Sequence, residues 1–134
     1  MKLILLFIMI FCHIVDDYYL QGILAKMKQR KWWKENAPNP MYKDDYKVAL
    51  IVHGFSWAFM TLLPLLVYGI INNYSEIFFY FDYPLFLLWN TFWHAYIDNE
   101  KANKLSINLV QDQIFHFIQI ILTWAFFSVM IGGF

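Results

Sequence analysis

Four long apolar stretches, at about residues 3–25, 48–71, 83–101 and 107–131, each carry one histidine, and together they leave this chain few ways to fold. A helix needs about 20 mostly apolar residues to cross a hydrocarbon core. With 60% hydrophobic, 22% aromatic and only 15% charged residues, the chain is too apolar for an ordinary soluble domain. The pattern predicts one integral membrane domain over residues 1–134, all-α, built as a four-helix transmembrane bundle. Cys12 is the only cysteine, which excludes an internal disulfide.

Lys2 followed by an apolar run could open a signal peptide, but no small-x-small site follows; His13, Asp16 and Asp17 do. The segment therefore reads as the first span. Residues 26–47 hold seven of the ten basic residues (Lys26, Lys28, Arg30, Lys31, Lys34, Lys43, Lys47) and are interrupted by Pro38 and Pro40. They read as one long loop, with Trp32 and Trp33 as interfacial anchors. Such a basic cluster sets topology and attracts anionic headgroups, so membrane lipids are the expected partners and nucleic acid is not. Pro64 predicts a kink in the second helix. Tyr74 to Phe81 is too short to cross and is expected at the interface, while Asp82 is expected to cap the third helix with Pro84 in its first turn. Placing both the 26–47 loop and the Lys101/Lys104 link in the cytoplasm puts both termini outside a bacterial inner membrane.

His13 and Asp17 lie four residues apart, with Gln21 one turn further on; His94 and Asp98 repeat the spacing before Lys101, and Asp112 and His116 repeat it in reverse. His53 stands alone in the second stretch. At about 1.5 Å per residue these groups fall roughly 9–20 Å inside the cytoplasmic boundary, so every helix delivers a histidine to one layer. Polar groups at that depth are expensive unless partnered. A hydrogen-bonded His/Asp network holding the helices together is one explanation. Metal binding accounts better for so many groups, because imidazole and carboxylate suit a divalent transition metal: Zn first, Mn or Fe as alternatives. The predicted ligand set is His13, Asp17, His94, Asp98, Asp112 and His116, enough for one ion with its supporting hydrogen bonds or for two ions at close spacing. His53 is a further ligand or the general base acting on metal-bound water. Lys101 could receive a phosphate that Gln21 orients, or it is an interfacial lysine reaching for the headgroups. Gln113 and Gln119 are expected to satisfy neighbours, and Trp57, Trp89, Trp93 and Trp124 to pack.

In combination, His13-x-x-x-Asp17-Tyr18-x-x-Gln21, His53, His94-x-x-x-Asp98-x-x-Lys101 and Asp112-Gln113-x-x-His116 resemble the family of small bacterial and phage membrane proteins known as domain of unknown function 3307. The likeness covers about residues 3–120 and implies a four-helix membrane protein without an assigned activity. A more distant resemblance is to inner-membrane metal-dependent hydrolases. The doubled Asp16-Asp17 departs from the pattern and leaves two candidates for one position; His53 is followed by Trp57 four residues on, so the second helix offers a single ligand. The resulting expectation is a metal-dependent hydrolase at the cytoplasmic leaflet, acting on a lipid or lipid-linked phosphate. Two other classes use the same residues: a transporter, which with four spans would need a homo-oligomer, and a non-catalytic membrane protein whose His/Asp set is structural.

Overall fold

The computed structural model describes residues 2–130, which are almost wholly helical and contain no strand. Helix α1 (Lys2–Val15) continues into a π turn, Asp16–Leu20. The chain then breaks at Gly22, whose φ of +52° lies in the left-handed region that glycine enters without steric cost. The first apolar helix thus ends some five residues before the expected boundary at residue 25. The expected 26–47 loop is itself partly helical: α2 (Leu24–Met27), α3 (Arg30–Asn36) and a 3₁₀ turn (Pro40–Tyr42). Helix α3 stops just before Pro38, and Asn39 caps the turn by accepting a 3.0 Å hydrogen bond from the Met41 amide.

Helix α4 (Asp45–Ile71) runs through Pro64. A π turn (Phe78–Asp82) leads directly into α5 (Tyr83–Asn99), and a further π turn (Glu100–Lys104) follows it. Asp82 therefore does not cap α5. Its backbone is helical and its side chain makes no cap hydrogen bond, because the preceding turn already supplies helical backbone on its N-terminal side. Helix α6 (Leu109–Met130) opens with a reciprocal capping box: Asn108 Oδ1 accepts from the Gln111 amide at 3.0 Å, and Gln111 Oε1 from the Asn108 amide at 2.9 Å. The tail of the expected fourth span, residues 131–133, lies outside the described residues.

Helix α4 packs against α1 and α5, and α6 against the same two helices. Gly54 lets α4 and α5 approach closely: a Cβ there would lie 2.6 Å from the Thr91 carbonyl oxygen. The apolar core, including Leu5, Met9, Trp57, Leu62, Leu65, Ile120 and Phe127, fills one end. Polarity is inverted relative to a soluble domain. His13, His53, His94, Asp98, Asp112 and His116 are buried, while Phe7, Phe11, Phe55, Phe92 and Phe126 are exposed. Three stretches, Lys2–Leu20, Pro40–Ile71 and Leu109–Met130, are long and apolar enough to cross a membrane. Helix α5, the expected third span, has 17 residues and is not among them; Asn90, Thr91, His94 and Asp98 on its buried side lower its hydropathy. Across that side Gln119 Nε2 donates to both the Asn90 carbonyl and Asn90 Oδ1 at 2.9 Å, tying α5 to α6.

Candidate metal centre

The π turn after α1 shapes the centre. Neighbouring residues of an α-helix point about 100° apart, and one i→i+5 turn widens the backbone locally, as it often does at functional sites. Here Asp16 and Asp17 both reach α4. Asp16 Oδ1 accepts from Ser56 Oγ at 2.9 Å, and Asp16 Oδ2 faces His53 Nδ1 at 3.9 Å. Asp17 Oδ1 lies 3.4 Å from His53 Nε2 and 3.9 Å from His94 Nε2.

Four side chains from three helical segments meet at one point. His53 Nε2 and His94 Nε2 are 3.1 Å apart, and Asp98 Oδ2 lies 3.3 Å from the first and 3.7 Å from the second. With the two Asp17 distances, five edges of a tetrahedron fall between 3.1 and 3.9 Å. Bonds of about 2.0–2.2 Å to a tetrahedral ion would separate its ligands by roughly 3.3–3.6 Å. Two overlapping groups, Asp17/His53/His94 and His94/Asp98/His116, each bring their ligand atoms within 4.8 Å of one another and could hold a metal ion. His53 Nδ1 and Asp16 Oδ2 are both buried without a hydrogen-bond partner among the described residues, yet they face each other. A proton on Nδ1 directed at Asp16 leaves the Nε2 lone pair pointing at the shared point, as in carboxylate–histidine–metal arrangements.

The other predicted residues surround this point. His116 stacks on His94 with ring centroids 4.1 Å apart; its Nε2 lies 3.4 Å from Asp112 Oδ1 and 3.7 Å from Asp98 Oδ1. His13 is bonded through both ring nitrogens. The Trp57 indole can only donate, so His13 Nδ1 accepts at 2.7 Å and its Nε2 carries the proton donated to Gln113 Oε1 at 3.1 Å. Gln113 Nε2 in turn donates to Asp112 Oδ2 at 3.1 Å. Trp57 also stacks on His94, centroids 4.2 Å apart.

Two lysines close the mouth. Lys28 Nζ bonds Asp98 Oδ2 at 2.6 Å, and Lys101 Nζ bonds Asp112 Oδ2 at 2.7 Å. Both line a cleft of about 360 Å³ with Gln21, Gln29, Asp98 and Leu105. Gln21 donates to the Asp17 carbonyl and lies 3.4 Å from Asp17 Oδ1, so it joins the cleft to the centre. Lys104 turns away. It donates to Glu100 at 2.5 Å, and that bond holds its ammonium above the usual lysine range.

Lys28 is the partner that the sequence did not single out; Gln113 satisfies its neighbours as expected, Asp16 joins Asp17 rather than replacing it, and Trp57, expected only to pack, also donates to His13. Lys28 was hidden among the loop's other basic residues, and nothing local shows that α2 and α3 fold back over the buried carboxylates. The i,i+4 rule pairs like helical positions and so favours Asp17 over Asp16; the π turn brings in both. Comparison with family models, curated proteins and solved structures finds no match to this chain.

Proposed function

We propose that the chain is a four-span integral membrane protein that binds a divalent transition metal and acts as a hydrolase on a lipid or lipid-linked phosphate at the leaflet bearing residues 26–47. The observation that carries this reading is the convergence of Asp17 Oδ1, His53 Nε2, His94 Nε2 and Asp98 Oδ2, with Asp17 and Asp98 each within 3.3–3.9 Å of both histidine nitrogens. Charge supports it. The carboxylates Asp16, Asp17, Asp98 and Asp112 meet only two ammonium groups, Lys28 and Lys101, an imbalance that a cation would offset. Zinc suits the donor set first, manganese or iron second. The ligand roles go to Asp17, His53, His94 and Asp98, while His13, with both nitrogens bonded, holds Gln113 and Trp57 in place. The basic segments favour the cytoplasmic side of a bacterial inner membrane and outward termini. The motif likeness to the domain of unknown function 3307 family and to membrane hydrolases belongs to this proposal.

A divalent ion here would supply a water of lowered pKa and polarise a phosphoryl oxygen. Asp17, His53, His94 and Asp98 would hold that ion, with Asp17 bonded to Gln21 at the cleft. Lys28 and Lys101 line the cleft beside Asp98, where an anionic phosphate would meet two ammonium groups and the Gln21 amide.

The test is elemental analysis of detergent-purified parent, His53→Ala and His94→Ala, each stripped and reloaded with zinc, manganese or iron(II), followed by phosphate release from lipid phosphate esters in mixed micelles. The parent should bind metal and hydrolyse ester. Each variant should lose about tenfold or more in occupancy and lose activity while still eluting as a single species. A parent that binds none of the three ions would sink the proposal. It would favour a structural network, for which the ion-free pairs Lys28–Asp98, Lys101–Asp112 and His53–His94 already provide partners.

A further inference from the structure

We infer that the chain holds a second divalent cation between Asp98 Oδ1, Asp112 Oδ1 and His116 Nε2, bridged to the first through the Asp98 carboxylate. This inference rests on the metal reading of the His53/His94 cluster. Asp98 divides its oxygens. Oδ2 faces His53 and His94 at 3.3 and 3.7 Å, whereas Oδ1 faces His116 at 3.7 Å on the other side. Asp112 Oδ1 stands 3.4 Å from the same His116 nitrogen. The two separations from His116 Nε2, 3.4 and 3.7 Å, lie close to the roughly 3.3–3.6 Å expected between ligands of one ion. A carboxylate spanning two such positions is how paired ions about 3.5–4 Å apart are commonly held.

The second, independent observation is that two of these three atoms, Asp112 Oδ1 and His116 Nε2, lack hydrogen-bond partners among the described residues. His116 is completely buried, and neither of its ring nitrogens has a hydrogen bond among the described residues; Asp112 Oδ1 is likewise buried and unpartnered. An imidazolium clamped by both carboxylates would be the competing account, but 3.4 and 3.7 Å exceed the 2.7–3.2 Å of an ordinary N–H···O bond. The His116 ring is instead fixed by stacking on His94 at 4.1 Å, which holds its nitrogen toward the gap between two carboxylates.

The lysines give the second ion a consequence. One divalent ion balances the four carboxylates with Lys28 and Lys101 in place; a second makes both ammonium groups surplus. Lys101 sits on the other oxygen of Asp112, and Lys28 on Asp98, so each competes with an ion for the charge of its carboxylate. Both already line the cleft, and lysines released there would meet an incoming phosphate group. Loading of the second position therefore prepares the cleft for an anionic substrate.

The experiment uses the full chain in detergent micelles, stripped with chelator and titrated with Zn²⁺ or Mn²⁺ under equilibrium dialysis. Parent, His116→Ala, Asp112→Asn, Lys101→Met and His53→Ala are compared by ion count, helical circular dichroism and, for Mn²⁺, electron paramagnetic resonance. The parent should bind two ions with an exchange-coupled manganese spectrum. His116→Ala and Asp112→Asn should each bind one, with the spectrum of an isolated ion. Lys101→Met deletes a competing cation and no ligand, so the weaker site should tighten by about tenfold. Retention of the parent's ion count in both His116→Ala and Asp112→Asn overturns the second site. So does a parent that binds a single ion lost only in His53→Ala, an outcome that leaves the first site standing. No binding by the parent overturns both.

Discussion

Replacing Gly54 with alanine tests whether the close packing of α4 on α5 sets the metal geometry. The added Cβ would stand 2.6 Å from the Thr91 carbonyl oxygen and 3.3 Å from the Ala95 Cβ. Neither neighbour is the flexible end of a side chain, so the helices must separate by about 0.8 Å to reach ordinary contact. Overpacking of this kind costs about 1–3 kcal/mol, or roughly 3–10 °C in Tm for a domain of this size. Gly54 follows His53 directly, and Thr91 and Ala95 flank His94. The same displacement would carry the 3.1 Å pair of Nε2 atoms toward about 3.9 Å, from just below to above the roughly 3.3–3.6 Å that two ligands of one ion keep. Gly54→Ala should therefore lower both Tm and zinc affinity, the latter by about tenfold or more. Val48→Ala, at a residue 64% exposed on the same helix, serves as the control and should change neither. Thermal unfolding in detergent and zinc titration read the two effects. Parent-like values for both would refute the contact; a lower Tm with unchanged zinc affinity would refute its coupling to the site.

Trp57→Phe keeps an aromatic ring against His94 and removes only the donor to His13 Nδ1, leaving that buried nitrogen unpaired; the expected loss is about 1–3 kcal/mol in thermal unfolding, and unchanged stability would show that the bond contributes nothing. Lys28→Met leaves Asp98 buried without its ammonium, which should cost about 3–5 kcal/mol in metal-free protein and much less with zinc present. Equal destabilisation with and without zinc would show that no cation replaces the lysine at Asp98.

Local spacing carried much of the site. The pairs His94/Asp98 and Asp112/His116 follow from one helical turn, and the burial of all four histidines follows from the apolar residues around them. Convergence could be read from depth as well: the His94 and His116 rings do lie in one layer, stacked at 4.1 Å. Which atoms share a point could not. His53, the one histidine of its helix, comes within 3.1–3.4 Å of His94, Asp98 and Asp17 beside the tight crossing of α4 and α5 at Gly54. His13 has the same four-residue spacing as His94, but its nitrogens are taken by Trp57 and Gln113, a matter of tertiary placement on α4 and α6. The π turns escaped notice for a related reason. Periodicity assumes an even helix, whereas the extra residue at Asp16–Leu20 turns two successive aspartates inward, and the one at Phe78–Asp82 removes the need for a cap.

The arrangement of lysines over carboxylates bears on how such a centre could be assembled. A buried carboxylate is costly unless it is paired, and α5 and α6 each carry one, Asp98 and Asp112, to the buried layer. Lys28 and Lys101 come from segments adjoining the helices and reach inward along aliphatic stems, so each cancels a charge without itself lying deep; their side chains remain 12% and 34% exposed. The ammonium groups therefore do for the metal-free chain what an ion would do in the loaded one. A chain built this way can pack its helices before it meets a metal, and it retains two cationic groups beside the cleft afterwards. On the proposed reading, their place in the cleft beside Asp98 is what would couple ion binding to recognition of a phosphate ester.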